Sequence, residues 1–438
     1  MHILQVCRRS SGSLWWTVWY GRCRSQEPKG ERKMSKRQDV LDVLQGKQPE
    51  YVPWFGDLAY WIDYLKDEGL IEEKYKEAES GDTGTAKESH TDADETGSSS
   101  GGRSAVSQGL AGSFCEEGLQ QMHRDLGVGF YLQGYFPFQT IYEGVEYTAE
   151  DDGSTRVTKF HTPYGNLQEI WKYMKETHSW APIEMLLKNE EDIPALKYVY
   201  EHTRYEPDYE LAVKRKTGIG ENGLVLVYAP KSPLMELVAL RAGIETVVEL
   251  SMDTQEEFEE LLEVMQKKHE EALELSLNCP ADCIMVPDNL SSELVGGSLY
   301  DDYIRTVHEK WTEKIRKSGK FSFVHLDGTL IPLLTKLSKA GFDVIEAVTP
   351  KPVGDAALED LRNMVEENTV IWGGLPGGYF TGQLSDAEFD EYVIHVITYM
   401  KEHPRFVLGV ADQVVPGATA KRIARVDHLI RKYGRGDA

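Results

Sequence analysis

From about residue 223 the chain repeats one unit, a short continuous apolar run followed by a stretch with helical periodicity. The runs are Leu224–Tyr228, Cys283–Val286, Phe321–Val324, Val344–Ile345, Val370–Trp372 and Phe406–Leu408. The helical patterns cover 254–277, 299–318, 329–339, 355–366, 386–401 and 418–433. A strand apolar on every residue is buried on both faces, and alternation with helices makes such strands parallel. Six strands are evident. Two more are expected upstream, around 128–133 or within 137–180, which gives an α/β fold of the TIM (β/α)8 barrel type. The alternative is an open doubly wound sheet, but no GxGxxG opens its first unit.

Ahead of this repeat, Met34 opens an amphipathic helix, and a second helix ends near Leu65. Another is expected near 115–126. Residues 142–149 and 155–172 alternate polar and apolar around Asp151-Asp152-Gly153, which predicts an antiparallel β-hairpin decoration. Helices are expected near 190–203 and 207–217. Residues 34–436 read as a single domain. Residues 1–33 form a basic leader with the aromatic run Leu14–Tyr20, a poor signal-peptide core, and Met34 is expected to be the natural start. Residues 77–112 are rich in Ser, Gly, Thr, Ala, Asp and Glu. Such a segment cannot bury enough surface to offset its ordering entropy, so a disordered insertion is expected.

Net charge excludes one class of partner. At −24 the chain repels phosphate backbones, so nucleic acid is not expected. No apolar run reaches 18 residues, so no membrane span is expected. The five cysteines include no CxxC pair, which points to a reducing, cytoplasmic setting; Cys279 and Cys283 are expected to be core residues.

Barrel proteins carry their chemistry at the strand C-termini, where loops vary without disturbing the core. Polar residues collect there: Asp288, His325 and Asp327, Glu346, the glycines Gly373, Gly374 and Gly377, and Asp412. His325 and Asp327 stand two apart at a strand end and so point to the same side. Together they hold a metal, or the carboxylate orients a general-base histidine, or the pair is only a structural hydrogen bond. Asp412 is a candidate third ligand, and three ligands with an open fourth position are typical of a catalytic metal. Asp288 and Glu346 are candidate catalytic carboxylates. Asp288 has the alternative of capping the next turn, and Glu346 of pairing with Lys351 or Arg362. The glycines either permit tight turns or offer backbone N–H groups to a cofactor's carboxylate or phosphate. His161 and Tyr164 read as surface or structural residues. The aromatics Trp54, Phe55, Tyr60, Trp61, Phe130, Tyr131, Tyr135, Phe136 and Phe138 either fill the core or rim the barrel mouth.

The stretch Phe321–Asp343, FSFVHLDGTLIPLLTKLSKAGFD, resembles the region of the uroporphyrinogen decarboxylase superfamily where cobalamin-dependent methyltransferases carry His-x-Cys-Gly, a helix and Gly-x-Asp. The closing segment from Phe406 and the Thr162–Gly165 turn resemble the same superfamily, over roughly 34–436. The resemblance implies a TIM barrel and, in the methyltransferase branch, a zinc site of one His and two Cys. Here the His matches His325, the first Cys position is Asp327, and the later one falls at or next to Asp412. Two carboxylates in place of thiolates form a harder donor set, which suits Mn or Fe as well as zinc. A small methylated substrate or acceptor and a corrinoid carrier protein are the implied partners. True uroporphyrinogen decarboxylases present Arg-Gln-Ala-Gly-Arg to their substrate's carboxylates; the matching stretch here, Val52–Asp57, has no arginine. A decarboxylase or a non-catalytic binding barrel are the alternatives to a methyltransferase.

Overall fold

The computed structural model describes residues 35–76, 116–131 and 134–436. The leader 1–33 and the insertion 77–112 lie outside the described residues. The six expected parallel strands form one sheet in sequential order: β7 (Leu226–Tyr228), β8 (Cys283–Leu290), β9 (Phe321–Leu326), β10 (Val344–Val348), β11 (Val370–Pro376) and β12 (Phe406–Ala411). Helices that include Gln255–Asn278, Arg305–Lys317, Leu333–Lys339 and Asp386–Glu402 connect them. The sheet is therefore covered on its outer side by the helices expected from the alternation.

Backbone hydrogen bonds continue past both edges of this sheet. Phe55 N donates to Leu408 O and Leu408 N to Pro53 O. Gly129 N donates to Trp54 O, Phe130 N to Asn222 O, and Leu224 N to Phe130 O. The segment near 128–133 is thus paired where an upstream strand was expected. The second partner lies at Pro53–Phe55, not within 137–180. Those residues instead form antiparallel structure: β1 (Phe138–Tyr142) pairs with β6 (Thr203–Pro207), and β2 (Glu146–Asp151), β3 (Thr155–Thr162), β4 (Gly165–Met174) and β5 (Ser179–Glu184) make a four-stranded sheet. The expected hairpin is the β2–β3–β4 part of that sheet. Residues 203–207, where one helix was expected to end, are strand because Thr203–Pro207 pairs residue by residue with Tyr142–Phe138. His161 and Tyr164 lie exposed at the β3–β4 turn, as expected.

Side chains alternate across each strand. One set faces inward in a cluster of Phe55, Tyr131, Tyr228, Met285, Phe323, Val344, Trp372 and Val407. Helix α1 (Lys36–Leu44), capped by Ser35 accepting from Gln38 N, adds Val40, Val43 and Leu44 to this cluster. The other set meets the helices. Cys279 and Cys283 are free, buried core thiols. The two ends of the described chain are stitched together: Val52 N donates to Gly434 O, Gly436 N to Glu50 O, and Lys36 Nζ to Asp427.

Candidate metal centre

The site is built from strand register. In the β9–β10 ladder Phe323 pairs with Val344 and His325 with Glu346. His325 therefore continues the inward row of Phe321 and Phe323, and Glu346 that of Val344. On the other side of β10, the β10–β11 ladder is irregular: register shifts between Ile345 and Val348, and Ala347 takes φ 66°. A bulge of this kind re-aims side chains next to a site.

His325 Nδ1 and Glu346 Oε2 are 2.6 Å apart, and Tyr131 Oη donates to Glu346 Oε1 at 2.9 Å. Glu346 is fully buried. Its contact at Nδ1 orients the imidazole and leaves Nε2 toward the strand ends, where Asp412 Oδ1 is 3.3 Å away. Asp327 joins them: one ligand atom from each of His325, Asp327 and Asp412 falls within 4.8 Å of the others. A histidine held by a carboxylate at one nitrogen, with the other nitrogen directed at further oxygen donors, is the usual outer-shell support of a metal ligand. The donor set therefore fits a divalent ion. Burial alone lowers the pKa of His325, but Glu346, Asp412 and Asp327 outweigh it and raise it to about 9. Burial raises Asp412 to about 6, against the opposing charge of His325.

One carboxylate at this end went unrecognised in the sequence. Asp57 is 1% exposed, accepts from Ala59 N at 2.7 Å, and accepts from Gln413 Nε2 at 2.8 Å. Burial, reinforced by Asp412 and Glu346, pushes its pKa to about 7. Its one signal in the sequence was its place two residues after the apolar triplet Pro53–Phe55, too short to read as a strand.

The other candidates are placed differently. Asp288 does not join the trio. It accepts from Ser232 N and Ser232 Oγ, both at 2.7 Å, and from His308 Nε2 at 2.8 Å, with both partners of the His308 pair fully buried. Gly373 and Gly374 lie inside β11, paired with Leu408 and Gly409. A Cβ on Gly373 would meet Val348 O at 2.3 Å, and one on Gly377 would meet Gln413 O at 2.1 Å. Close backbone packing requires glycine at Gly373 and Gly377, while Gly374 faces the side chains of Met400 and Val396. Trp54, Phe55, Trp61, Phe130 and Tyr131 are core residues, each at most 4% exposed. Exposed apolar side chains among the described residues that follow β8, β9 and β10 include Leu294, on the short helix Ser292–Val295, Ile331 and Val353.

Residues 165–433 match the family model described as uroporphyrinogen decarboxylase (URO-D), and the chain belongs to that family. No curated protein matches the sequence. Among solved structures the chain is similar to a methyltransferase from Methanosarcina mazei, at 10% identity over 92% of this chain and 99% of that one, with a TM-score of 0.55. At this identity the likeness is one of fold. No helix among the described residues is long and apolar enough to cross a membrane.

Proposed function

We propose that the protein is a metal-dependent methyltransferase that exchanges a methyl group with a corrinoid held by a partner protein. Its fold is then a (β/α)8 barrel closed through Pro53–Phe55 and Gly129–Phe130, formed by residues 34–436 with 1–33 and 77–112 outside the core. One observation carries the reading: His325, Asp327 and Asp412 converge at the strand ends, with Nε2 of His325 directed toward the carboxylates. Zinc is the first candidate ion, and the two carboxylates suit Mn or Fe also. A divalent ion there supplies Lewis acidity toward an oxygen or nitrogen of a small methylated substrate or acceptor.

The chain's own residues do the rest. Glu346 fixes the imidazole plane, and Tyr131 holds Glu346. Leu294, Ile331 and Val353 offer an apolar rim to a carrier protein. A decarboxylase acting on a polycarboxylate needs cations around its substrate. This end of the barrel presents Asp57, Asp327, Glu346 and Asp412 instead, which disfavours that reading. The test mixes the purified protein with methylcobalamin or a methylated corrinoid protein and follows the corrin absorbance. A change dependent on His325 and on an added acceptor supports the transferase. No change with any acceptor, together with release of carbon dioxide from a carboxylated substrate, favours the carboxy-lyase.

A further inference from the structure

The charge around the trio is lopsided. Asp57, Asp327, Glu346 and Asp412 share the neighbourhood of one imidazole: His325 and Glu346 are in contact, Asp327 and Asp412 converge on the same ring, and Asp57 is held by Gln413 next to Asp412. A divalent ion neutralises two of the four carboxylates. The nearby lysine after β7, Lys231, does not supply the remainder: its ammonium donates to Pro287 O and lies by Asp288 and Glu236. Lys351, after β10, is exposed to solvent. Buried carboxylates without cations are costly, and they repel any anionic ligand.

A second, independent feature faces the same space. Tyr228, at the end of β7, is only 5% exposed as a residue, and its hydroxyl oxygen keeps solvent contact and bonds to none of the described residues. The charges of Asp57, Glu346 and Asp412 act on it. A phenol whose ring is buried and whose oxygen alone reaches solvent keeps its donor and acceptor available to a ligand. Tyr228 belongs to the inward aromatic group with Phe55, Tyr131 and Trp372. Aromatic faces beside carboxylates are the surroundings that recognise ammonium groups.

We propose that this site takes a substrate with a positively charged nitrogen, a protonated or quaternary amine, and that Asp57 and Tyr228 are the residues that recognise it beside the metal. The proposal deepens the methyltransferase reading by naming the substrate class, and it rests on that reading for the methyl group but not for the charge. Binding measured without corrinoid therefore tests the charge by itself, while corrin spectroscopy tests the transfer.

The experiment is calorimetric titration of the full-length, zinc-loaded protein with choline, with its neutral isostere 3,3-dimethyl-1-butanol, and with the anion 3,3-dimethylbutyrate. Choline should bind at least tenfold more tightly than the alcohol, and the butyrate not at all. Asp57→Asn should weaken choline about tenfold and leave the alcohol unchanged, and Tyr228→Phe should weaken choline a few-fold. Equal affinity for choline and the alcohol, or tighter binding of the butyrate, overturns the proposal. So does choline binding only after the metal is stripped by chelator, since the acids then serve the ion alone. The comparison of three probes on the unaltered protein stands even if a variant fails to fold.

Discussion

Two carboxylate–histidine pairs sit at neighbouring strand ends, and they are opposite in kind. Asp288 and His308 are both completely buried, and every visible valence is used: Ser232 fills the carboxylate, and Tyr300 Oη lies 3.4 Å from the other imidazole nitrogen. Burial pushes Asp288 up, but His308, Lys231 and Ser232 outweigh it and hold the carboxyl below its ordinary range. Glu346 and His325 begin the same way, with a buried acid and a 2.6 Å contact. There the second imidazole nitrogen, 3.3 Å from Asp412 Oδ1, faces two half-buried aspartates. The same chemical pair is cement in one place and a presented ligand in the other. What separates them is what the second imidazole nitrogen meets: a buried tyrosine hydroxyl at His308, partly exposed carboxylates at His325.

The largest expected effect breaks the sealed pair. Asp288→Ala strands a buried histidine and should cost about 3–5 kcal/mol, seen in calorimetry as a fall in Tm of several degrees, with metal content per folded molecule unchanged. A Tm within a degree of the parent would show that the pair is not cement. Next, Asp412→Asn touches only the open site. Bound metal, measured by elemental analysis, should drop to roughly a tenth or less, while Tm without metal stays the same. If metal binding survives, the trio is not the ligand set. A smaller effect is expected from Glu346→Gln, which keeps all three ligands but loosens the imidazole: metal affinity should weaken about tenfold in a chelator competition.

The smallest effect uses a buried acid with no histidine. Asp39 accepts from Glu50 N and Tyr51 N, and burial raises it to about 6. Its folded pKa lies above the unfolded value, so its protonated form is favoured on folding, and that contribution is lost as pH rises through about 6. Asp39→Asn should therefore match the parent below pH 4 and gain on it up to about pH 6, by about 1 kcal/mol after allowing for partial exposure. A constant difference across that window would rule out titration of Asp39.

Both kinds of pair were half visible in the sequence. His325 and Asp327 stood out because residues two apart at a strand end share a side, and Asp412 because it follows another apolar run. The six strands β7 to β12 were legible because burial on both faces leaves an unbroken apolar run. Pro53–Phe55 was not, since a paired segment of three residues carries no periodicity. Asp57 was hidden with it. Neither the seal on Asp288 nor the opening at His325 could be read locally, because the decisive neighbours, Ser232, His308 and Tyr131, come from segments 20 to 215 residues away. The same holds for Tyr131 itself, whose ring reads as core and whose hydroxyl matters only once Glu346 is beside it.

The stitching of Val52 to Gly434 carries a consequence for biogenesis. Some 380 residues separate those partners, so at about 5–20 residues per second the first must wait roughly 20–75 s for the second to be synthesised. During that interval Val40, Val43 and Phe55, all buried in the finished protein, lack the later members of their cluster, Val370, Trp372 and Val407. A segment made early is thus among the last to be fully covered, which makes it a natural client for a chaperone that holds apolar nascent segments.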